Sequence, residues 1–117
     1  MKILLAEDER TISQLINHVL AADGHEVNAV RSAAEAIQLL SVDEYDLVLL
    51  DLHLSDGDGL QVVDTIANGP DVRTRVIVMT GETPFSSEDP RCARVAGVLY
   101  KPFALDELEA AVRRFIV

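Results

Sequence analysis

Residues 45–51 have the sequence Tyr-Asp-Leu-Val-Leu-Leu-Asp, and this stretch decides the fold class. Its four consecutive apolar residues, followed by an acid, indicate a strand that is covered on both faces. Residues 52–59, Leu-His-Leu-Ser-Asp-Gly-Asp-Gly, have the composition of a loop. Asp51 is therefore expected at the carboxyl end of a buried strand, where open α/β sheets bind their ligands. A carboxylate in that position can accept a phosphoryl group, bind a metal ion or cap a helix.

Length and composition indicate one folded domain that spans residues 1–117. The chain is 49% hydrophobic, as expected for a folded protein. Its formal net charge of -10 argues against binding to nucleic acid or to anionic membrane surfaces. No stretch has transmembrane length. The single cysteine, Cys92, excludes an intrachain disulfide and a thiolate metal cluster. We therefore expect a soluble cytoplasmic protein.

Strand-like and helix-like segments alternate along the chain. The predicted strands are residues 2–6, 26–30, 47–51, 75–80 and 97–100, and the predicted helical faces lie within residues 12–20, 36–40, 60–67 and 105–115. Ser32 and Glu35 form a capping-box signature before the second of these helices. A fifth, short helix is expected to begin near Pro90, after a proline-containing segment. This alternation predicts an α/β fold with a doubly wound, five-stranded parallel sheet and five helices.

Chemically functional side chains end or directly follow four of the five predicted strands. They are Glu7 and Asp8, Asp51, Thr80 and Lys101. Because the carboxyl ends of parallel strands meet at one edge of the sheet, we expect these side chains to converge. Three carboxylates repel one another, and a divalent cation such as Mg²⁺ would remove that repulsion and keep room for a phosphoryl oxygen. Thr80 can donate a hydrogen bond to such an oxygen, and Lys101 can act on it as a point charge.

Each of these residues also has an ordinary structural interpretation when it is considered alone. Glu7 and Asp8 suit the first turn of a helix, Thr80 suits a cap and Lys101 suits a solvated surface. Their joint occurrence at strand ends favours the functional interpretation.

With these residues in this order, the whole chain from Lys2 onward resembles the response-regulator receiver domain of two-component signalling. The matching motifs are the acid pair 7–8, Asp51, Thr80 and the dipeptide Lys101-Pro102. The resemblance implies a flavodoxin-like strand order 2-1-3-4-5. It also implies that Asp51 is phosphorylated by a phosphohistidine of a histidine kinase or histidine phosphotransfer protein, with an output partner still to be identified. A chemotaxis-type single-domain regulator and a fragment of a longer regulator both remain open.

The resemblance implies a metal shell made of Glu7, Asp8, Asp51 and the backbone carbonyl of His53. The expected ion is Mg²⁺, and Mn²⁺ is possible in its place. Self-phosphorylation from the donor and self-dephosphorylation are then the only reactions expected, so the chain is not a conventional enzyme.

The remaining implied roles concern the response to the phosphoryl group. Thr80 and Lys101 would sense it, and the side chains of His53 and Glu82 would rim it and tune its hydrolysis. The family usually has an aromatic switch residue three positions before the lysine, where this chain has Val98. Tyr100 lies two residues later, on the same face of the strand, and is a candidate replacement.

Two further departures from the family pattern are visible in the sequence. Ser55 stands where the family often has proline, which should only loosen the loop. Residues 81–90 contain Pro84 and Pro90, although the family has its fourth helix in this region. The departures concern the expected output face rather than the phosphorylation site.

The same residues disfavour three other classes of phosphate-binding or metal-binding site. A haloacid-dehalogenase-type phosphatase usually needs a second acid two residues after the nucleophile, where His53 stands. A flavodoxin-like cofactor carrier would need a glycine- and hydroxyl-rich loop at residues 7–9, which are acids. An EF-hand loop fails because its sixth position is Asp56 and its twelfth is Val62. The remaining alternative is a receiver-like interaction module that docks partners without being phosphorylated.

Overall fold

The computed structural model of the chain describes residues 1–69, 73–81 and 95–115. The strands are β1 (Lys2–Ala6), β2 (Glu26–Val30), β3 (Leu47–Asp51), β4 (His53–Leu54), β5 (Gly57–Asp58), β6 (Arg75–Thr80) and β7 (Val95–Tyr100). The helices are α1 (Arg10–Ala22), α2 (Ala33–Val42), α3 (Leu60–Asn68) and α4 (Leu105–Arg113).

The main sheet has five parallel strands in the order β2-β1-β3-β6-β7. Because β4 and β5 pair only with each other, this is the predicted order 2-1-3-4-5, and the predicted flavodoxin-like fold class is confirmed. The helix expected near Pro90 lies outside the described residues, which contain the other four. None of these four is long and apolar enough to span a membrane.

Strand β3 is the centre of the molecule. All five of its residues are buried because β1 and β6 flank it and helices cover both of its faces. Residues Val48 and Leu50 pack in a cluster with α2 and α3 through Ala33, Ala36, Val62, Val63 and Ile66. Residues Leu47 and Leu49 pack in a second cluster with α1 and α4 through Ile16, Leu20, Leu108 and Val112. The prediction of a strand covered on both faces is therefore confirmed.

Local sequence signals account for the helix ends. They do not account for the exposure of one residue in the apolar pattern of α1. Gly24 ends α1 with φ +88°, in the left-handed region that favours glycine, and Ser32 Oγ accepts a hydrogen bond from the Glu35 amide. Leu15, however, is 48% exposed although it belongs to the apolar pattern of α1. Consecutive helical residues are rotated by about 100°, so the side of α1 that buries Ile16 leaves Leu15 outside the contact.

Residues 52–59, which the sequence indicates as a loop, contain the short antiparallel hairpin β4–β5. His53 pairs with Asp58 and Leu54 pairs with Gly57, whose φ of +145° favours glycine. A Cβ at Gly59 would lie 2.7 Å from the carbonyl oxygen of Asp51. Glycine at this position therefore allows the start of α3 to approach the end of β3 closely.

Candidate functional site

Three carboxylates meet at the carboxyl edge of the sheet. One oxygen from each of Glu7, Asp8 and Asp51 lies within 4.8 Å of the other two. The cause is register: Ala6 of β1 is opposite Leu50 of β3, so the next residues along the two chain segments, Glu7 and Asp51, lie side by side. Glu7 is 1% exposed and Asp51 is 4% exposed, so two of the three acids are buried.

Lys101 supplies positive charge to this cluster. Its Nζ donates hydrogen bonds to Glu7 Oε2 at 2.8 Å and to Asp51 Oδ2 at 3.3 Å. Its backbone amide donates to the carbonyl oxygen of Thr80 at 2.8 Å, which fixes the chain where it leaves β7. The ammonium group is therefore held between two buried carboxylates.

The carboxylate of Asp51 is oriented from both sides. Its Oδ1 accepts a hydrogen bond from the backbone amide of His53 at 2.9 Å, while Oδ2 faces Lys101. A buried carboxylate held in this way is suited to nucleophilic chemistry, because little reorganisation is needed before attack.

Burial and mutual charge set the protonation of Glu7 and Lys101. Burial raises the pKa of Glu7, and the charge of Asp51 adds to this effect, while the hydrogen bond from Lys101 opposes it. Burial lowers the pKa of Lys101, but its hydrogen bond to Glu7 and the charges of Glu7 and Asp51 outweigh burial, so the net pKa is raised. Lys101 therefore stays charged at neutral pH, whereas burial disfavours the charged form of Glu7.

The raised pKa of Glu7 predicts a pH dependence of stability in metal-free buffer. A carboxyl whose pKa is higher in the folded state holds its proton more tightly there than in the unfolded chain. Its contribution to the free energy of unfolding is therefore fully present below the ordinary glutamate pKa. This contribution is lost as the pH rises through the raised value. We expect the free energy of unfolding of the wild type to fall over this pH range relative to that of Glu7→Gln. Chemical denaturation at a series of pH values with EDTA measures the difference, and parallel profiles would contradict the prediction.

The three acids also fit a divalent cation. Carboxylate oxygens are the ligands that hard divalent cations prefer, and the spacing allows all three groups to contact one ion. Because Glu7 and Asp51 are buried, water screens the repulsion between their charges only weakly. A bound cation would relieve this repulsion. This edge of the sheet can therefore hold a divalent cation.

Thr80 ends β6 next to the acid cluster. It is fully buried, and the residue before it, Met79, is opposite Asp51 in the sheet. Tyr100 is the register partner of Thr80 on β7 and is 39% exposed, and the half-buried Val98 lies two residues earlier. Register partners on adjacent strands point to the same face of a sheet, so the side chains of Thr80 and Tyr100 are neighbours on one face. Val98 shares that face because it lies two residues before Tyr100 on the same strand.

The expected rim residues have different outcomes. The side chain of His53 is exposed, and its backbone lies directly beside Asp51. Glu82 lies outside the described residues.

Sequence reasoning overlooked Asp56, which it considered only as a position in a calcium loop. The carboxylate of Asp56 binds the amino terminus of α2, a partner that no local sequence pattern indicates.

Known proteins resemble this chain over nearly its whole length. The family model for the response regulator receiver domain matches residues 3–113. Sporulation initiation phosphotransferase F of Bacillus subtilis is 29% identical over 117 residues, covering 98% of this chain and 93% of that protein. Transcriptional regulatory protein CrdR of Helicobacter pylori is 33% identical over 97% of this chain and 54% of its own length.

A solved structure of the response regulator protein TrrA of Thermotoga maritima, in complex with Mg(2+)-BeF, has a TM-score of 0.86 and 27% identity over 98% of each chain. The chain spans about half the length of several curated relatives that it matches. The strand order, the acid cluster, the lysine and the extent of the family match lead to one conclusion. The chain belongs to the response-regulator receiver domain family of two-component signalling.

Proposed function

We propose that this receiver domain is a phosphorylation-dependent switch of a two-component phosphorelay and that Asp51 is its phosphoacceptor. The observation that carries the proposal is the orientation of the Asp51 carboxylate, which is buried and held by the His53 amide and the Lys101 ammonium. The proposed donor is a phosphohistidine of a histidine kinase or a histidine phosphotransfer protein in the cytoplasm. The net charge of -10 argues that this domain itself does not bind nucleic acid.

The proposed transfer forms a bond between an Asp51 carboxylate oxygen and phosphorus while the phosphorus–nitrogen bond of phosphohistidine breaks. The protein supplies positioning and charge neutralisation, as in other phosphoryl transfers. Glu7, Asp8, Asp51 and the His53 carbonyl would hold Mg²⁺ or Mn²⁺, which when bound neutralises charge on the phosphoryl oxygens. The relative TrrA, which was solved with Mg(2+)-BeF, supports the choice of Mg²⁺.

Lys101 and Thr80 are the proposed sensors of the phosphoryl group. Lys101 Nζ lies 3.3 Å from Asp51 Oδ2, so a phosphoryl oxygen on Asp51 would compete for its hydrogen bonds. Tyr100 shares the sheet face of Thr80 and is partly exposed, with an apolar ring and a polar tip. It is the proposed replacement for the aromatic switch residue, because Val98 is too small for that role.

The side chains of His53 and Glu82 are the proposed rim of the phosphoryl group. They lie two residues after Asp51 and Thr80 respectively. A side chain there can block or orient the water that attacks phosphorus opposite the Asp51 oxygen.

Incubation with a small phosphodonor and Mg²⁺, followed by intact-mass measurement, tests the proposed function. We expect the mass of one added phosphoryl group with Mg²⁺ and no addition with EDTA. A protein that gains no mass from any phosphodonor, although it remains folded, would instead be the interaction module that docks without phosphorylation.

Mg²⁺ should also stabilise the folded protein. A ligand that binds only the folded state contributes about 2.7 kcal/mol when its concentration is one hundred times Kd. We expect Asp8→Asn to raise the melting temperature of the metal-free protein, because it removes one of three repelling acids. The same variant should lose most of the Mg²⁺-dependent rise. Asp64→Asn, an exposed acid on α3, is the matched control and should respond to Mg²⁺ like the wild type.

A further inference from the structure

The tip of the β4–β5 hairpin is anchored to the amino terminus of α2. Asp56 Oδ1 accepts a hydrogen bond from the Ala33 amide at 2.9 Å, and Asp56 Oδ2 accepts one from the Ala34 amide at 3.1 Å. The first amides of a helix have no partner within the helix, and the partial positive charge at this end favours a carboxylate. Asp56 thus caps a helix that ends before β3 begins.

This anchor is separate from the local cap of α2. Ser32 Oγ accepts a hydrogen bond from the Glu35 amide at 3.1 Å, so the two caps satisfy different amides of the same helix. Removing either cap leaves the other in place. The difference is that Ser32 is adjacent to α2, whereas Asp56 belongs to the segment that follows Asp51.

The hairpin connects Asp56 to the Asp51 carboxylate through a short backbone path. Asp56 lies in the two-residue turn between Leu54 and Gly57, and the strand on one side of that turn begins at His53. The His53 amide donates to Asp51 Oδ1. Leu54 is 5% exposed and packs in the same cluster as Ala33, so the hairpin contacts α2 through one apolar and one charged residue.

We propose that Asp56 is a positioning residue for phosphoryl acceptance, because it anchors the hairpin to α2 and thereby holds the His53 backbone against Asp51. The hydrogen bonds from Ala33 and Ala34 lower the pKa of Asp56, so the acceptor stays charged at neutral pH. The expected effect on the rate of phosphoryl acceptance rests on the proposed function, whereas the expected effect on the position of the His53 amide does not.

The test compares Asp56→Ala with Ser32→Ala, which removes the other cap of the same helix. The readouts are the melting temperature, the ¹⁵N–¹H amide signal of His53 and the labelling rate with acetyl phosphate and Mg²⁺. We expect both variants to lower the melting temperature, but only Asp56→Ala to shift the His53 amide and slow labelling, by about tenfold for a misplacement below 1 Å. Asp56→Asn keeps one acceptor oxygen and should restore part of the rate and of the amide position.

Several results would overturn the inference. Equal slowing by Asp56→Ala and Ser32→Ala, or an unchanged His53 amide in Asp56→Ala, would leave Asp56 as a helix cap only. If the wild type takes no label, the proposed function fails, and the His53 amide of the Asp56 variants alone decides this inference. If Asp56→Ala does not fold, Asp56→Asn must shift the His53 amide for the inference to stand.

Discussion

The Asp51→Asn variant should gain no mass from a phosphodonor and Mg²⁺ under conditions that label the wild type fully. The amide keeps the shape of the side chain and can still accept the hydrogen bond from His53, but its nitrogen and oxygen are poor nucleophiles. The expected effect is therefore complete loss of labelling with little loss of structure. Intact-mass spectra of both proteins, collected over the same time course, provide the measurement.

The control for this variant is Asp64→Asn, which removes an acid of the same type from the exposed side of α3. It should label at the wild-type rate, because it changes the net charge equally without touching the site. Persistent labelling of Asp51→Asn would move the phosphoacceptor to another residue. Loss of labelling in both variants would show that net charge, rather than the identity of residue 51, controls the reaction.

Lys101→Met is expected to lower the free energy of unfolding of the metal-free protein. The change removes the hydrogen bonds to Glu7 Oε2 and Asp51 Oδ2 and leaves two buried carboxylates facing each other. Leaving a buried polar group without its partner costs about 1–3 kcal/mol. Chemical denaturation at neutral pH in EDTA measures this loss. The variant should also lose the response to phosphorylation, because it lacks the ammonium group that we propose binds the phosphoryl oxygen.

A double variant separates lost charge pairing from lost packing. Glu7→Gln in the Lys101→Met background removes one of the two repelling carboxylates and should recover most of the stability. Arg113→Met is the matched control, because it breaks an exposed ion pair to Glu109 within α4 and should change stability little. A Lys101→Met protein as stable as the wild type would show that the ammonium does not offset the acid cluster.

The sequence predicted the sheet and the convergence of the site residues because these depend on local, repeated rules. The apolar run of β3, with an acid at its end, is visible in seven letters, and parallel strands bring their ends to one edge. The Ser32 cap and the left-handed Gly24 were predictable for the same reason, since each depends on neighbours within a few residues.

Other features depend on distances that no local pattern encodes. The sequence indicated an acid cluster whose repulsion a divalent cation would remove, whereas the structure shows that Lys101 Nζ already lies 2.8 Å from Glu7 Oε2. The stabilisation by Mg²⁺ is therefore expected to be smaller than for three unpaired acids. Leu15 is exposed because packing against the sheet sets the rotation of α1. The contact of Asp56 with α2 joins residues 23 positions apart and was not predictable.

The most direct test of the central claim is to locate the phosphoryl group on the wild-type chain. The labelled protein is reduced with borohydride, which converts an aspartyl phosphate into homoserine, and its peptides are sequenced by mass spectrometry. We expect homoserine at position 51 and at no other position, and none without the phosphodonor. Homoserine at position 8 or at any other aspartate, with Asp51 unmodified, would contradict the assignment.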